Sequence, residues 1–177
     1  ARQQLDSATN MTDELAALTG IINSEYASDA LRSQALADFY QRWSAEALVV
    51  NQWLTAQAQA SRPGGLERVC ELMEDESFDI RNPNKVRAVI SAFCGGNPIN
   101  FHRADGAGYA FLADQILVLN KLNPQIASRL LTPLTKWSKY DSGRQQLMKA
   151  ALERILAAPA LSKDVYEVVT KSLKTSV

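Results

Sequence analysis

Histidine occurs once in these 177 residues, at His102, and cysteine only twice, at Cys70 and Cys94. A zinc peptidase site of the His-Glu-x-x-His kind needs two histidines one helical turn apart, and structural metal sites need several converging His, Cys or carboxylate ligands. One histidine with no Cys-x-x-Cys pair excludes both. A Ser-His-Asp or Cys-His site would have to be built around that same His102, and no Gly-x-Ser-x-Gly elbow is present to hold a nucleophile. His102 is therefore expected to be a hydrogen-bonded structural residue, and the two cysteines to be reduced thiols in the core. Charge of one sign is also missing: 19 basic residues balance 19 acidic ones. That removes the electrostatic basis for nonspecific nucleic-acid binding and for attraction to an anionic bilayer. No uninterrupted apolar run reaches the about 18 residues of a membrane span, and no basic-apolar leader is visible. The glycine clusters Gly95-Gly96 and Gly106-Ala107-Gly108 lack a preceding strand and a Gly-Lys-Ser/Thr, so they predict helix ends and tight turns rather than a phosphate loop.

Strand signals are almost absent, and helical periodicity runs through most of the chain. Leu15, Leu18 and Ile22 form a stripe after the acidic first turn Asp13-Glu14. Leu36, Phe39, Tyr40 and Trp43 mark a second helix. Ser44 is placed to cap a third, whose apolar positions are Leu48, Val49, Trp53 and Leu54. Arg62-Pro63-Gly64-Gly65 interrupts the pattern, and a sub-boundary is expected near residues 61–65. Helices follow over Leu66–Met73, from Tyr109 to about Asn120, after Asp141-Ser142, and after Ser162, where Val165, Val169 and Leu173 face inward. About nine or ten helices with short connections predict an all-α fold, a superhelical array of antiparallel helix pairs of the α-solenoid, HEAT/armadillo-like kind.

The stretch from Asn82 to Pro133 is the most informative. Asn82-Pro83 and Asn123-Pro124 each place a side-chain acceptor before a residue that fixes φ and lacks an N–H, which is a helix start. Val86, Val89, Ile90 and Phe93 form the apolar stripe of the first helix and leave Arg87 outside it. In the second, Ala127, Leu130, Leu131 and Leu134 form the stripe, while Gln125 and Arg129, at i and i+4, share another face. Both arginines are expected to reach solvent or a cavity.

Asn-Pro-Asn-Lys-Val-Arg from Asn82, the segment Phe101 to Tyr109, and Asn-Pro-Gln-Ile-Ala-Ser-Arg from Asn123 resemble the C-terminal domain of bacterial zinc aminopeptidase N. The similarity continues outward to Asn-Met-Thr-Asp-Glu-Leu-Ala-Ala-Leu from Asn10 and Leu-Ser-Lys-Asp-Val-Tyr-Glu from Leu161. The resemblance implies that residues 1–177 form a single helical domain excised from a longer cytoplasmic aminopeptidase, a reading to which the start at Ala1-Arg2 and a first methionine at Met11 also point. In that family the zinc and its ligands lie in a separate catalytic domain. The C-terminal superhelix caps the cleft, controls access and shapes the pocket. Gln125 then matches the glutamine bordering the pocket for the substrate's first side chain, and Arg129 and Arg87 match arginines that line the cavity. No catalytic centre and no cofactor is expected in this segment. Its partners would be the catalytic domain of the same polypeptide and peptide substrate, with no nucleic acid or membrane, and the uncovered domain surface is expected to drive self-association. The competing expectation is a free-standing helical-repeat scaffold that binds a protein partner on its concave face.

Overall fold

A computed structural model describes residue 8 and residues 10–174. Every regular element among them is helical. In chain order they are α1 (Met11–Asn23), α2 (Asp29–Trp43), α3 (Ala47–Ala58), α4 (Gly65–Glu74) and α5 (Pro83–Val86). A π-turn (Arg87–Ser91) carries α5 into α6 (Ala92–Gly96). Then come α7 (Pro98–Phe101), α8 (Ala107–Leu122), α9 (Pro124–Leu130), a 3₁₀ segment (Leu134–Lys139), α10 (Ser142–Leu156) and α11 (Lys163–Lys174).

The starts are chemically encoded. Asn10, Ser28, Asn82, Asn97, Asn123 and Asp141 each accept a backbone N–H in the first turn that follows, satisfying donors a helix otherwise leaves orphaned. Three of these caps precede proline, whose preset φ and missing N–H suit the first helical position. Ser162 likewise accepts the Val165 N–H. Ser44 does not cap α3: that position falls to Glu46, which makes no side-chain cap bond.

The elements pack mainly on their neighbours in the chain. α1, α2 and α3 form one layered group against α4 and the π-turn, and α8 to α11 form another. The run from the π-turn through α6 and α7 joins them. This near-neighbour stacking is that of a helical solenoid. Its core is one continuous apolar cluster that includes Leu18, Phe39, Leu54, Val69, Phe93, Phe101, Leu112, Leu131, Leu152 and Val169. The buried stripe Val86, Val89, Ile90 and Phe93 binds α5 and α6 to it despite the break in helical register.

Leu48 and Cys70 depart from the sequence reading. Leu48 is 75% exposed rather than buried, because the first turn of α3 overhangs an open groove instead of meeting a helix. Cys70 lies on the exposed face of α4, whereas Cys94 is buried, so only one thiol belongs to the core. Glu14, a first-turn acid as expected, is in addition buried and accepts from Arg42 Nη1 at 2.6 Å and Trp43 Nε1 at 2.9 Å, tying α1 to the end of α2.

Candidate functional site

The π-turn divides two hollows. On one side lies a groove of about 1080 Å³ between α1, α3 and the start of α5, with Arg87 on its wall. On the other is a smaller cavity of about 270 Å³, lined by Cys94, His102, Arg129, Lys136 and Tyr140 among others. Ser91 borders both. The wide turn here is locally supported. Ala92 N–H bonds Arg87 O, five residues back, and Thr55 Oγ1 donates to Ala88 O at 3.1 Å. Such single wide turns set the side chains that follow at a different angle around the axis.

Arg87 and Arg129 are both exposed, on opposite sides of Ser91. Arg87 Nη1 donates to Asn84 Oδ1 at 2.9 Å, one turn back. Gln125 is exposed on the first turn of α9 and borders neither hollow. Hence the face shared by Gln125 and Arg129 opens outward, with Arg129 at the rim of the smaller cavity, while Arg87 belongs to the groove.

The cavity's floor was not legible in the sequence. His102 is held at both ring nitrogens: Nδ1 is 2.9 Å from Tyr109 Oη and Nε2 is 2.9 Å from Tyr140 Oη. Burial, and then the nearby Arg144 guanidinium, hold its pKa below the ordinary imidazole value, which favours the neutral ring. A neutral imidazole has one donor and one acceptor, so one tyrosine donates to it and the other accepts. Arg144 Nε in turn donates to His102 O at 2.8 Å. The expected structural histidine is therefore present, with two tyrosine partners that no spacing in the chain announced.

Charge pairing separates the arginines of the molecule. Arg32, Arg42, Arg62, Arg68, Arg103, Arg144 and Arg154 each pair with a carboxylate. Among the described residues Arg81, Arg87 and Arg129 do not, and neither does Lys136 beside Arg129; of these, Arg87, Arg129 and Lys136 line the two hollows. No carboxylate lines the smaller cavity. This arrangement can attract carboxylates and peptide carbonyls, since no carboxylate among the described residues already neutralises it.

A metal fits poorly. No group of three or more His, Cys, Asp or Glu side chains among the described residues is placed to hold one. His102 has both nitrogens committed to tyrosines, and burial pushes the Cys94 thiol far up, away from the thiolate that would ligate. No helix among the described residues is long and apolar enough to cross a membrane.

The architecture is that of an all-helical ARM-repeat solenoid, and over residues 1–174 the chain matches the model of the ARM-repeat domain of unknown function DUF3458_C. It belongs to that family. It is 40% identical over 171 residues to aminopeptidase N of Escherichia coli, spanning 97% of this chain and 19% of that protein. To aminopeptidase N of Caulobacter vibrioides it is 42% identical over 167 residues, 94% of this chain and 19% of the relative. A crystal structure of Legionella pneumophila aminopeptidase A in complex with aspartic acid superposes with a TM-score of 0.91 at 37% identity, covering 99% of this chain and 20% of that one. The chain thus spans about a fifth of the length of the relatives it matches.

Proposed function

We propose that residues 1–177 act as one helical domain of a longer cytoplasmic zinc aminopeptidase, its C-terminal domain, which caps the cavity where N-terminal residues are hydrolysed from peptides. The reading is supported by homology to about a fifth of aminopeptidase N across nearly this whole chain. It is carried by one observation: the arginines left without a carboxylate at the two hollows, Arg87 and Arg129, are those of the Asn-Pro-Asn-Lys-Val-Arg and Asn-Pro-Gln-Ile-Ala-Ser-Arg motifs.

In this reading zinc and its ligands belong to the catalytic domain of the same polypeptide, the domain's other partner besides peptide substrate. The donor set described above does not suit a metal, and the segment contributes walls instead. Gln125 supplies an amide that shapes the pocket for the substrate's first side chain. Arg129 and Arg87 draw peptide carbonyls or the far carboxylate into the cavity. The segment alone has no peptidase activity.

The test compares this chain with the longer polypeptide on alanyl-p-nitroanilide with zinc present, wild type and as Gln125→Ala and Arg129→Ala. The expected result is no hydrolysis by this chain, and in the longer enzyme a loss of kcat/KM of about tenfold, the scale of one charge-assisted hydrogen bond. Full activity in both variants would overturn the capping role and favour a binding scaffold. Hydrolysis by this chain alone would overturn the absence of a catalytic centre.

A further inference from the structure

The groove on the Arg87 side is walled by α3, and the residues that face it recur once per turn: Leu48, Asn51, Thr55 and Gln59, with Gln52 beside them. Apart from Arg87 the lining carries no charged side chain. Its carboxamides are largely uncommitted. The side chains of Asn51, Gln52 and Gln59 make no hydrogen bond among the described residues, although Asn51 Oδ1 is shielded from water. An acceptor removed from water without a donor is costly. Asn51 Oδ1 faces inward, where neither water nor a ligand reaches it, so the carboxamide must turn about χ2 to present it to the groove; because the inward acceptor has no donor, that turn breaks no hydrogen bond.

We propose that this groove binds an extended peptide through its main chain, with Asn51, Thr55 and Gln59 as successive rungs; the proposal deepens the peptide-handling reading above. Four residues of α-helix rise about 6.0 Å, and an extended chain repeats every two residues, or about 6.6 Å. Two rungs on α3 and a third at its C-cap, Gln59, therefore stay in step with the same-facing groups of a short extended peptide. A carboxamide offers both donor and acceptor, matching a main chain that presents N–H and C=O alternately. Thr55 Oγ1 gives its proton to Ala88 O and keeps its lone pairs for a donor from the ligand. Leu48, largely exposed at the groove's edge, with Leu15 opposite, supplies an apolar shelf for a side chain. Recognition of this kind is indifferent to sequence, as a domain serving varied peptides requires.

Gly96 is part of the device. A Cβ added there would stand 2.3 Å from Gln59 Nε2. The Gln59 carboxamide therefore occupies space that only glycine leaves open. Because the obstructed atom is the far end of a flexible side chain, Gly96→Ala displaces the rung while the backbone stays in place.

The experiment is a titration of the ¹⁵N-labelled chain with a soluble peptide of about six Ala, Ser and Gly residues, acetylated and amidated so that no terminus can be cleaved or pair with an arginine. The side-chain NH₂ signals of Asn51 and Gln59 are expected to shift saturably. Peptide N-methylated at alternate residues, Gln59→Ala protein and Gly96→Ala protein should each bind about fivefold more weakly, the scale of one neutral hydrogen bond, with unchanged circular dichroism. The proposal is overturned if no shift occurs up to the peptide's solubility, if N-methylation leaves affinity intact, or if both protein variants bind as wild type does. Failure here alongside altered peptidase kinetics in the Arg129→Ala enzyme removes the groove and keeps the cap. Unaltered kinetics with saturable binding does the reverse.

Discussion

Gly65 and Asn100, 35 residues apart, are joined by a 3.1 Å hydrogen bond from the Gly65 N–H to Asn100 Oδ1. The bond belongs to a small buried polar network. Asn100 Nδ2 donates to Arg62 O at 2.9 Å, and Asn97 Nδ2 donates to Ala58 O and Ala60 O at 3.0 and 2.8 Å. The carbonyls of Ala58, at the end of α3, and of Ala60 and Arg62, in the irregular stretch before α4, are thus satisfied by two asparagines of α7 and its cap. Asn97 is fully buried, so Asn97→Ala should leave those carbonyls unpaired and cost about 2–4 kcal/mol. Urea unfolding with an unchanged m-value checks it; a loss under about 0.5 kcal/mol would mean that the network is dispensable.

Two glycines one helix apart should respond to alanine with opposite signs. A Cβ on Gly108 would lie 2.2 Å from Phe101 O, a backbone atom that cannot turn aside. Gly108→Ala should therefore push α8 off α7 and cost about 3 kcal/mol. At Gly95 nothing lies within 4 Å of the added methyl and φ is not positive, so Gly95→Ala should stabilise by about 0.5–1 kcal/mol. Thermal melting of the pair decides both.

The Tyr109–His102–Tyr140 arrangement predicts a pH dependence. His102 has a lower pKa folded than unfolded, so below the unfolded value of about 6.5 the unfolded chain binds the proton more readily. Stability from this group is fully present above that value and declines as pH falls through the folded pKa. Wild type should lose more stability between pH 7 and about 5.5 than His102→Gln does. Equal slopes would show that the ring is free of its partners in solution.

Thiol chemistry should distinguish the two cysteines. Cys70 is exposed, but partial desolvation and then Glu67, Glu71 and Glu74 raise its pKa, while burial raises that of Cys94. Because the thiolate is the reactive form, a maleimide should label one cysteine per native chain, more slowly than it labels a free thiol. The second should react only in denaturant. Rapid labelling of Cys94 in the native protein would show that the core opens locally.

Helix positions were legible because they depend on local chemistry. Asn-Pro pairs, Asp141 and Ser162 cap where their side chains and backbone geometry require it, and apolar spacing picks out the buried sides of α5, α8, α10 and α11. The same spacing put Arg87, Gln125 and Arg129 off the apolar stripes, where they are exposed. It failed for Leu48 and Cys70, because a stripe shows which side of a helix is apolar and not whether another element covers it.

What the chain determined by itself is therefore its all-helical character and most of its helix starts. Only the tertiary structure decided the rest. The π-turn, the two hollows that share Ser91, the tyrosines on His102 and the carboxylate partners denied to Arg87 and Arg129 all join residues distant in sequence or depend on them. The physical reason is that capping and periodicity act within a turn or two, whereas cavities and unpaired charges are set by how elements stack, and no local pattern records that.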